Sequence, residues 1–149
     1  MHLTLFTDYA LRSLMYLSAH GDGPCTVEEI AGYFKISADH VTKVMQHLAR
    51  RGYVRSRRGR NGGAMLARSP DEIRLGDVLR DFEEISLLNC MHTDKVCTIG
   101  RDCLVKQVLA EGQRRMMAFY DEHSLQDLAS PLTTMRGRKT RGFQTVGKG

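Results

Sequence analysis

The sequence predicts a mainly α-helical fold with one small β-hairpin, and three features along the chain support this. Apolar residues first recur at helical spacing in three successive segments. Two short strand-like segments then flank a glycine-rich turn that contains Asn-Gly. A long amphipathic segment follows near the C-terminal end. Helix, helix, turn, helix and hairpin in this order predict a winged helix-turn-helix, joined to a long helix that would serve as a dimerisation arm.

The first two helices are predicted from an apolar face and a local start signal. The first spans about Thr7 to Ala19 with Thr7 as its N-cap, because apolar residues recur there every three or four positions. It ends in the Gly- and Pro-containing segment 20–24. The second begins at Thr26, whose hydroxyl can form the reciprocal pair of a capping box with the carboxylate of Glu29.

The third helix and the hairpin follow directly. Ser37 is the predicted N-cap of this helix, which runs to about Arg51 and is stopped by Gly52 as its C′ residue. Strands are predicted at residues 53–56 and 64–67, on either side of an Arg- and Gly-rich loop. This loop would be the wing of the fold.

A second region follows Pro70 and carries the predicted dimerisation arm. A helix is expected from about Ile73 to Glu84, and residues 86–103 form a connecting loop. The long helix from about Leu104 to His123 has an apolar stripe in which Gly112 removes a side chain. Another helix would be able to approach closely there, because the distance between packed helices depends on the side chains at the contact.

The chain is predicted to close with a short helix and a tail. Ser124 would cap the helix from Leu125 to Leu128, and the Gly-, Arg- and Lys-rich segment from about Ser130 is expected to be mobile. We therefore expect three parts: the winged helix-turn-helix at residues 1–70, the cysteine-containing loop and dimerisation helix at 71–128, and the basic tail at 129–149.

Charge is distributed unevenly along the chain. The net charge is +5, and the five basic residues after Asp127 account for all of it. Residues 1–127 balance 17 acidic residues with as many basic ones, so nucleic-acid binding has to be argued from where basic residues cluster. Six arginines and no acid fall within residues 50–60. The N-terminus shows no signal-peptide pattern, and no apolar run approaches the roughly 20 residues that span a bilayer. We expect a cytoplasmic protein with no membrane partner.

The third helix and the wing form the predicted DNA-reading surface. With Val41, Val44 and Leu48 buried, the opposite helix face presents the donors and acceptors that read base edges in a major groove. An ordinary solvated helix would present a similar face, so the helix alone does not decide. The wing arginines favour DNA, because they would neutralise phosphates and release counterions. The predicted DNA contacts are Ser37, His40, Thr42, Lys43, Gln46, His47, Arg50, Arg57, Arg58, Arg60, Asn61 and Gly62.

Three cysteines mark a candidate sensor site. Cys90, Cys97 and Cys103 have six and five residues between neighbours. In a reducing compartment such thiols indicate a metal or redox site rather than disulfides. Structural zinc sites usually show closely spaced Cys pairs and four ligands, whereas this wide spacing suits an iron–sulfur cluster. Structural thiols, a redox pair and a zinc site remain open from spacing alone. A fourth ligand is chemically possible at Asp8, Cys25, His92, Asp94, Asp102 and His123, of which Cys25 is expected to be a bystander.

The chain resembles the bacterial family of iron–sulfur winged-helix transcription regulators that includes IscR, RirA and NsrR. The resemblance covers the chain to about Leu128. It rests on the three cysteines, on the wing at 58–63, and on segments 3–12 (LTLFTDYALR), 36–44 (ISADHVTKV) and 48–54 (LARRGYV). Within the family, segments 6–12 and 86–90 are most similar to the branch of nitric-oxide-sensing repressors, the NsrR branch.

This resemblance implies a homodimeric repressor that binds a palindromic operator in double-stranded DNA. It implies a 4Fe–4S cluster, with 2Fe–2S as the alternative, on Cys90, Cys97 and Cys103. Asp8 would be the fourth ligand, from the same or the other subunit. Nitric oxide would be the effector, and its reaction with the cluster would release the DNA. The alternative within the family is a sensor of iron or of cluster status. An electron-transfer or redox enzyme is disfavoured, because the sequence shows neither a Gly-rich nucleotide loop nor a paired catalytic constellation.

Overall fold

The computed structural model describes residues 2–21, 23–60, 62–87 and 103–134, of which residues 130–134 are described by their backbone alone. These residues form six α-helices and one two-stranded sheet. The helices are α1 (Leu5–His20), α2 (Val27–Phe34), α3 (Ala38–Arg50), α4 (Leu75–Phe82), α5 (Leu104–Asp121) and α6 (Leu125–Thr134). The strands are β1 (Val54–Arg57) and β2 (Gly63–Leu66), and a 3₁₀ turn at Pro70–Glu72 precedes α4. The order confirms a mainly helical winged-helix fold.

Helix α1 begins earlier than predicted, and Thr7 as its N-cap is wrong. Thr4 occupies that position with an extended backbone, and its hydroxyl accepts a hydrogen bond from the Thr7 N–H at 3.2 Å. Thr7 is therefore inside the first turn, where it is completely buried. The Glu83 carboxylate accepts from the Thr4 N–H at 2.6 Å and lies 2.9 Å from its hydroxyl, so the start of α1 is bonded to the segment after α4.

The helix-turn-helix is set by two local signals. The capping box of α2 is confirmed, because the Thr26 N–H donates to Glu29 at 2.6 Å and the Glu29 N–H donates to the Thr26 hydroxyl at 3.2 Å. Lys35 ends α2 in the left-handed region at φ 55°, and its N–H donates to carbonyls of the last turn. Ser37 stands at the N-cap of α3 as predicted, although its side chain makes no capping hydrogen bond there.

The wing is an antiparallel hairpin that is bonded to the helical body. Its register pairs Val54 with Leu66 and Arg57 with Gly63. Cys25, in the loop before α2, exchanges two backbone hydrogen bonds of 2.8 Å with Ala64 of β2. Cys25 is completely buried, so its place in the fold is structural.

The core lies between α1, α3, α6 and the root of the wing. The apolar face predicted for α3 is buried, as are the inward residues of α1. The largest fully buried side chains of this core include Leu14, Leu17, Ile30, Val41, Val44, Leu48 and Tyr53.

The last helix extends further than the sequence suggested. The Asp127 N–H donates to the Ser124 hydroxyl at 3.3 Å, which confirms the predicted cap. Helix α6 continues to Thr134, with Leu125 and Ala129 buried, so a tail that begins at residue 129 or 130 starts too early. Residues 135–149 lie outside the described part.

Helix α5 is long, as predicted, but its apolar stripe is largely uncovered within one chain. Leu104, Val105 and Val108 are 72%, 62% and 68% exposed, whereas Met117 is buried. A Cβ at Gly112 would meet no described atom within 4 Å. None of the described helices is both long and apolar enough to cross a membrane.

Candidate nucleic-acid interface and sensor residues

The outward face of α3 carries most of the predicted base-reading residues. Periodicity places Val41, Val44 and Leu48 at zero exposure on one side of the helix. Its other side presents exposed side chains with mixed hydrogen-bonding character, namely Ser37, His40, Thr42, Lys43, Gln46 and Arg50. The Thr42 hydroxyl donates to the Ala38 carbonyl at 2.9 Å, which fixes its rotamer on this face. The arrangement is that of a helix able to enter a major groove.

His47 is the exception among the α3 residues. It is half-buried, and its ring lies 4.6 Å from the ring of Phe82 and 5.7 Å from that of Phe6. Its Nε2 lies 3.4 Å from the Asp81 carbonyl oxygen. His47 therefore packs on the flank of α3 that faces α1 and α4, and it is not part of the exposed face. Its polarity suggested an outward position, but it follows Val44 by three residues and shares that side of the helix.

The tip of the wing is a tight turn that presents arginines to solvent. The Gly62 N–H donates to the Gly59 carbonyl at 2.9 Å, and Gly59 has a φ of 116° that favours glycine. A Cβ at Gly62 would lie 2.5 Å from the Arg57 carbonyl oxygen, so only glycine fits this turn without movement. Asn61, the remaining predicted contact of the tip, lies outside the described residues.

The wing arginines are not neutralised by the rest of the described chain. Arg57, Arg58 and Arg60 are exposed, and within the described ranges they form no salt bridge. Arg50 at the end of α3 is exposed as well. We group the exposed α3 residues with the wing residues as the proposed DNA-reading surface and define it as residues 37, 40, 42, 43, 46, 50, 57, 58, 60, 61 and 62, of which 61 lies outside the described residues.

The C-terminal end of α4 holds residues that the sequence did not single out. The Tyr53 hydroxyl donates to an Asp81 carboxylate oxygen at 2.6 Å, and Arg51 lies 3.4 Å from the other oxygen. Burial raises the pKa of Tyr53, and the hydrogen bond to Asp81 raises it further. No local sequence pattern connects Tyr53 with Asp81, because they are 28 positions apart and their contact depends on tertiary packing.

Of the predicted sensor cysteines, Cys103 is described. It occupies the N-cap of α5, is half-buried, and makes no capping hydrogen bond through its side chain. Cys90 and Cys97 lie outside the described residues, as do His92, Asp94 and Asp102.

Asp8 is the carboxylate among those fourth-ligand candidates that the structure describes, and it is partly exposed. It lies in the first turn of α1, and its side chain is 38% exposed. Its Oδ2 lies 2.8 Å from the Nε of Arg12, whose guanidinium carbon is 5.7 Å from the centre of the Phe34 ring on α2. A partly exposed carboxylate offers oxygen ligands to a metal, whereas the thiol of Cys25 is buried in the core.

The described ligand candidates do not come together within one chain. His123 lies half-buried at the end of α5, with its ring 4.7 Å from that of Phe119. Across the described ranges, no group of three or more His, Cys, Asp or Glu side chains is placed to hold a metal ion. A cluster site would therefore need residues of the connecting segment, a second subunit, or both.

The order of helices and hairpin defines the protein as one of the winged-helix class. The sequence profile of the Rrf2 family, described as iron-dependent transcriptional regulators, matches residues 3–131. Because the match covers most of the chain, the protein belongs to the Rrf2 family of transcription regulators. It is a regulator of transcription and not an enzyme.

Solved structures share this fold at low sequence identity. IscR of T. potens superposes with a TM-score of 0.73 at 22% identity, over 93% of this chain and 93% of that chain. CymR of B. subtilis, the global cysteine regulator, has a TM-score of 0.71 at 24% identity, over 88% and 98% of the two chains. CymR of Staphylococcus aureus has a TM-score of 0.68 at 23% identity, over 85% and 96%. The likeness supports the winged-helix architecture.

Proposed function

We propose that the protein is a dimeric repressor that binds a palindromic operator through the DNA-reading surface of each subunit. One observation carries this proposal: the exposed polar face of α3 is followed along the chain by exposed wing arginines that form no salt bridge within the described residues. Residues of α3 would contact base edges, while Arg57, Arg58 and Arg60 would contact phosphates or the minor groove. Residues 1–70 would form the DNA-binding part, and 71–128 the sensor loop and dimerisation helix.

The exposed apolar stripe of α5 supports the dimer. A two-fold dimer buries the same patch on both subunits, and Leu104, Val105, Val108 and Phe119 provide such a patch. Because a Cβ at Gly112 would meet no atom of the described residues within 4 Å, the α5 helix of a second subunit would be able to approach closely there. Two-fold symmetry of the protein then requires two matching half-sites in the DNA.

We also infer that Cys90, Cys97, Cys103 and Asp8 hold an iron–sulfur cluster, with 4Fe–4S favoured over 2Fe–2S. The family description as iron-dependent regulators supports iron, and the thiol at the start of α5 and the partly exposed carboxylate on α1 are suitable ligands. A bound cluster would supply iron atoms that react with nitric oxide. Sensing of nitric oxide, as in the NsrR branch, is the trigger that we propose.

The chain's own residues would connect the sensor to the DNA-reading surface. Cys103 begins α5, the proposed dimer arm, and Asp8 is in α1, which packs against α3. Arg12 binds Asp8 and lies against Phe34 of α2, so a carboxylate that changes partner would free Arg12 at the helix-turn-helix. Holding or releasing these residues would bias the position of the helix-turn-helix relative to the dimer arm, as a two-state regulator requires.

The sensing proposal is tested on one operator, selected in vitro from a random duplex pool with anaerobically purified protein. Affinity is compared for the protein as purified, after nitric oxide, and after removal of the metal, with visible spectra and iron content measured in parallel. We expect tight binding only by the iron-loaded protein. Equal affinity in all three states would disprove the sensing and leave DNA binding intact.

The DNA-reading surface is tested by alanine substitutions within it and by one control substitution outside it. Lys43→Ala and Gln46→Ala should change the selected base sequence more than the salt dependence, because they are placed to contact base edges. Arg74→Ala removes an exposed positive charge outside the DNA-reading surface and should leave both unchanged. If Lys43→Ala and Gln46→Ala select the wild-type operator with wild-type affinity, the assignment of α3 as the reading helix is wrong.

A sensor of iron or of cluster status is the second candidate, favoured by the family description as iron-dependent. It predicts that an iron chelator releases the operator at least as readily as nitric oxide does. The nitric-oxide proposal predicts fast release by nitric oxide and slow release by the chelator. Parallel time courses of both treatments on the same protein–DNA complex separate the two.

A further inference from the structure

We propose that Asp81 is a positioning residue for DNA binding, which holds the end of α3 and the root of the wing in the geometry that fits the operator. The inference rests on the proposed DNA-reading surface and adds a residue that does not itself touch DNA. Three contacts converge on Asp81. Its carboxylate accepts from the Tyr53 hydroxyl at 2.6 Å and lies 3.4 Å from Arg51, and its carbonyl oxygen lies 3.4 Å from Nε2 of His47.

Tyr53 is the junction between the two parts of the DNA-reading surface. Its N–H donates to the Leu48 carbonyl of α3 at 2.9 Å, and its carbonyl accepts from Ala67, beyond β2, at 2.9 Å. The side chain is 1% exposed, with the Arg68 guanidinium 4.5 Å from the centre of its ring. A shift of the Tyr53 ring therefore moves the last turn of α3 and the base of the hairpin together.

Arg80, the neighbour of Asp81, binds the dimer arm instead. Its two terminal nitrogens lie 2.7 and 2.6 Å from the two carboxylate oxygens of Asp121 in α5. Gly76 gives this pair its room, because a Cβ there would collide with the Asp121 carboxylate. Two adjacent residues of α4 thus hold α5 on one side and the α3–wing junction on the other. In a dimer whose subunits meet along α5, they set where each DNA-reading surface lies relative to its half-site.

The chemistry of these contacts suits orientation more than stability. Arg51 and Asp81 are 49% and 31% exposed as side chains, and ion pairs of this kind contribute little to the free energy of folding. The hydrogen bond from a buried hydroxyl to a carboxylate is directional and stronger. Its loss would let the wing root rotate while the apolar core around Leu48 and Val44 stays packed.

The test uses the full-length, anaerobically purified protein and the operator selected with the wild type. Tyr53→Phe, Asp81→Ala and the double variant form a mutant cycle. Each single variant should lose about tenfold in affinity, the loss expected for a hydrogen bond to a charged group. The double variant should lose less than the sum of the two single losses, because both single variants remove the Tyr53–Asp81 hydrogen bond. Asp81→Asn, which keeps an acceptor for the Tyr53 hydroxyl, should bind between wild type and Asp81→Ala.

A readout beyond affinity separates positioning from a merely structural role. If the wing is displaced, its arginines contact fewer phosphates. Because the slope of log affinity against log salt depends on the number of phosphates contacted, it should become shallower in Tyr53→Phe. Loss of folded protein alone would leave that slope unchanged. Asp71→Ala is the matched control, because Asp71 is an exposed carboxylate in the 3₁₀ turn before α4 and bonds Ser69 of the same turn. It should keep wild-type affinity and slope.

The outcomes are distinct for the two proposals. If the wild-type protein selects no duplex, the DNA-binding function itself fails. If the wild type binds while Tyr53→Phe and Asp81→Ala bind equally well with an unchanged slope, or if their effects add, the role of Asp81 is disproved. Tyr53→Phe removes a single oxygen from a ring that stays buried, so it decides the question even where Asp81→Ala does not fold.

Discussion

Replacing Gly63 with alanine is expected to detach the wing from the helical body without changing any charge. Gly63 opens β2 at a φ of 157°, and a Cβ there would lie 2.6 Å from the Cys25 carbonyl oxygen and 2.8 Å from its carbonyl carbon. These are backbone atoms, and they belong to the bridge in which Cys25 and Ala64 exchange two hydrogen bonds of 2.8 Å. The bridge has to open before the methyl group fits.

The expected magnitude follows from the bonds lost. Two backbone hydrogen bonds at about 1 kcal/mol each correspond to about 2 kcal/mol. This free energy lowers the ratio of docked to free wing by a factor of about 30. Since a free wing no longer presents Arg57, Arg58 and Arg60 in one place, operator affinity falls by as much as this factor.

Opening of the Cys25–Ala64 bridge and its effect on operator binding are measured separately. Amide hydrogen exchange at Cys25 and Ala64 reports the bridge, and fluorescence anisotropy with the selected operator reports binding. Gly32→Ala serves as the matched control, because Gly32 is exposed within α2 and a Cβ there meets no described atom within 4 Å. It should be neutral or stabilise the helix by up to ~1 kcal/mol. A Gly63→Ala protein with wild-type protection and wild-type affinity would refute the reasoning.

Four further outcomes are expected. Arg60→Ala removes one phosphate contact per subunit, so the slope of log affinity against log salt should fall by roughly 1.8 for the dimer, with no change for Arg74→Ala. Gly112→Ala should weaken the dimer in sedimentation equilibrium if the partner's α5 packs there; a tighter dimer would argue against that packing. Glu29→Gln should lower stability at neutral pH, because the Thr26 N–H holds the pKa of Glu29 below its ordinary 4.5. That contribution is present above the ordinary pKa and lost as the pH falls through the lowered one, so urea titrations of variant and wild type should converge in acid. Cys97→Ala should purify without the visible band and iron of the wild type while keeping its helical circular dichroism; a normal iron content would show that the ligand set is wrong.

The parts of the fold that depend on residues close together in the sequence could be predicted. The buried face of α3 and the capping box of α2 each rest on positions three or four apart, and both are confirmed. The start of α1 could not be placed this way. Thr4 caps it with the help of Glu83, which lies 79 positions away, and no local pattern reports such a contact.

The candidate site divides along the same line. Exposure of Lys43, Gln46 and the wing arginines follows from helical period and turn chemistry, and these side chains are where the sequence placed them. The position of His47 depends on its contact with Phe82 of α4, which is distant along the chain, so no local pattern reports it. The contacts of Asp81 could not be predicted for the same reason, since its partners Tyr53 and Arg51 precede the wing in the chain and Asp81 follows it.

The uncovered stripe of α5 has a consequence for how the regulator responds to its own abundance. In the dimer that we propose, protomers that each leave Leu104, Val105 and Val108 exposed would assemble by mass action. Wherever the protomer concentration is below the dissociation constant of the dimer, the number of dimers rises with the square of the amount of chain. Promoter occupancy would then change more steeply than gene dosage. If the protein is the repressor that we propose, a modest fall in its synthesis would release the regulated genes without any signal at the cysteines.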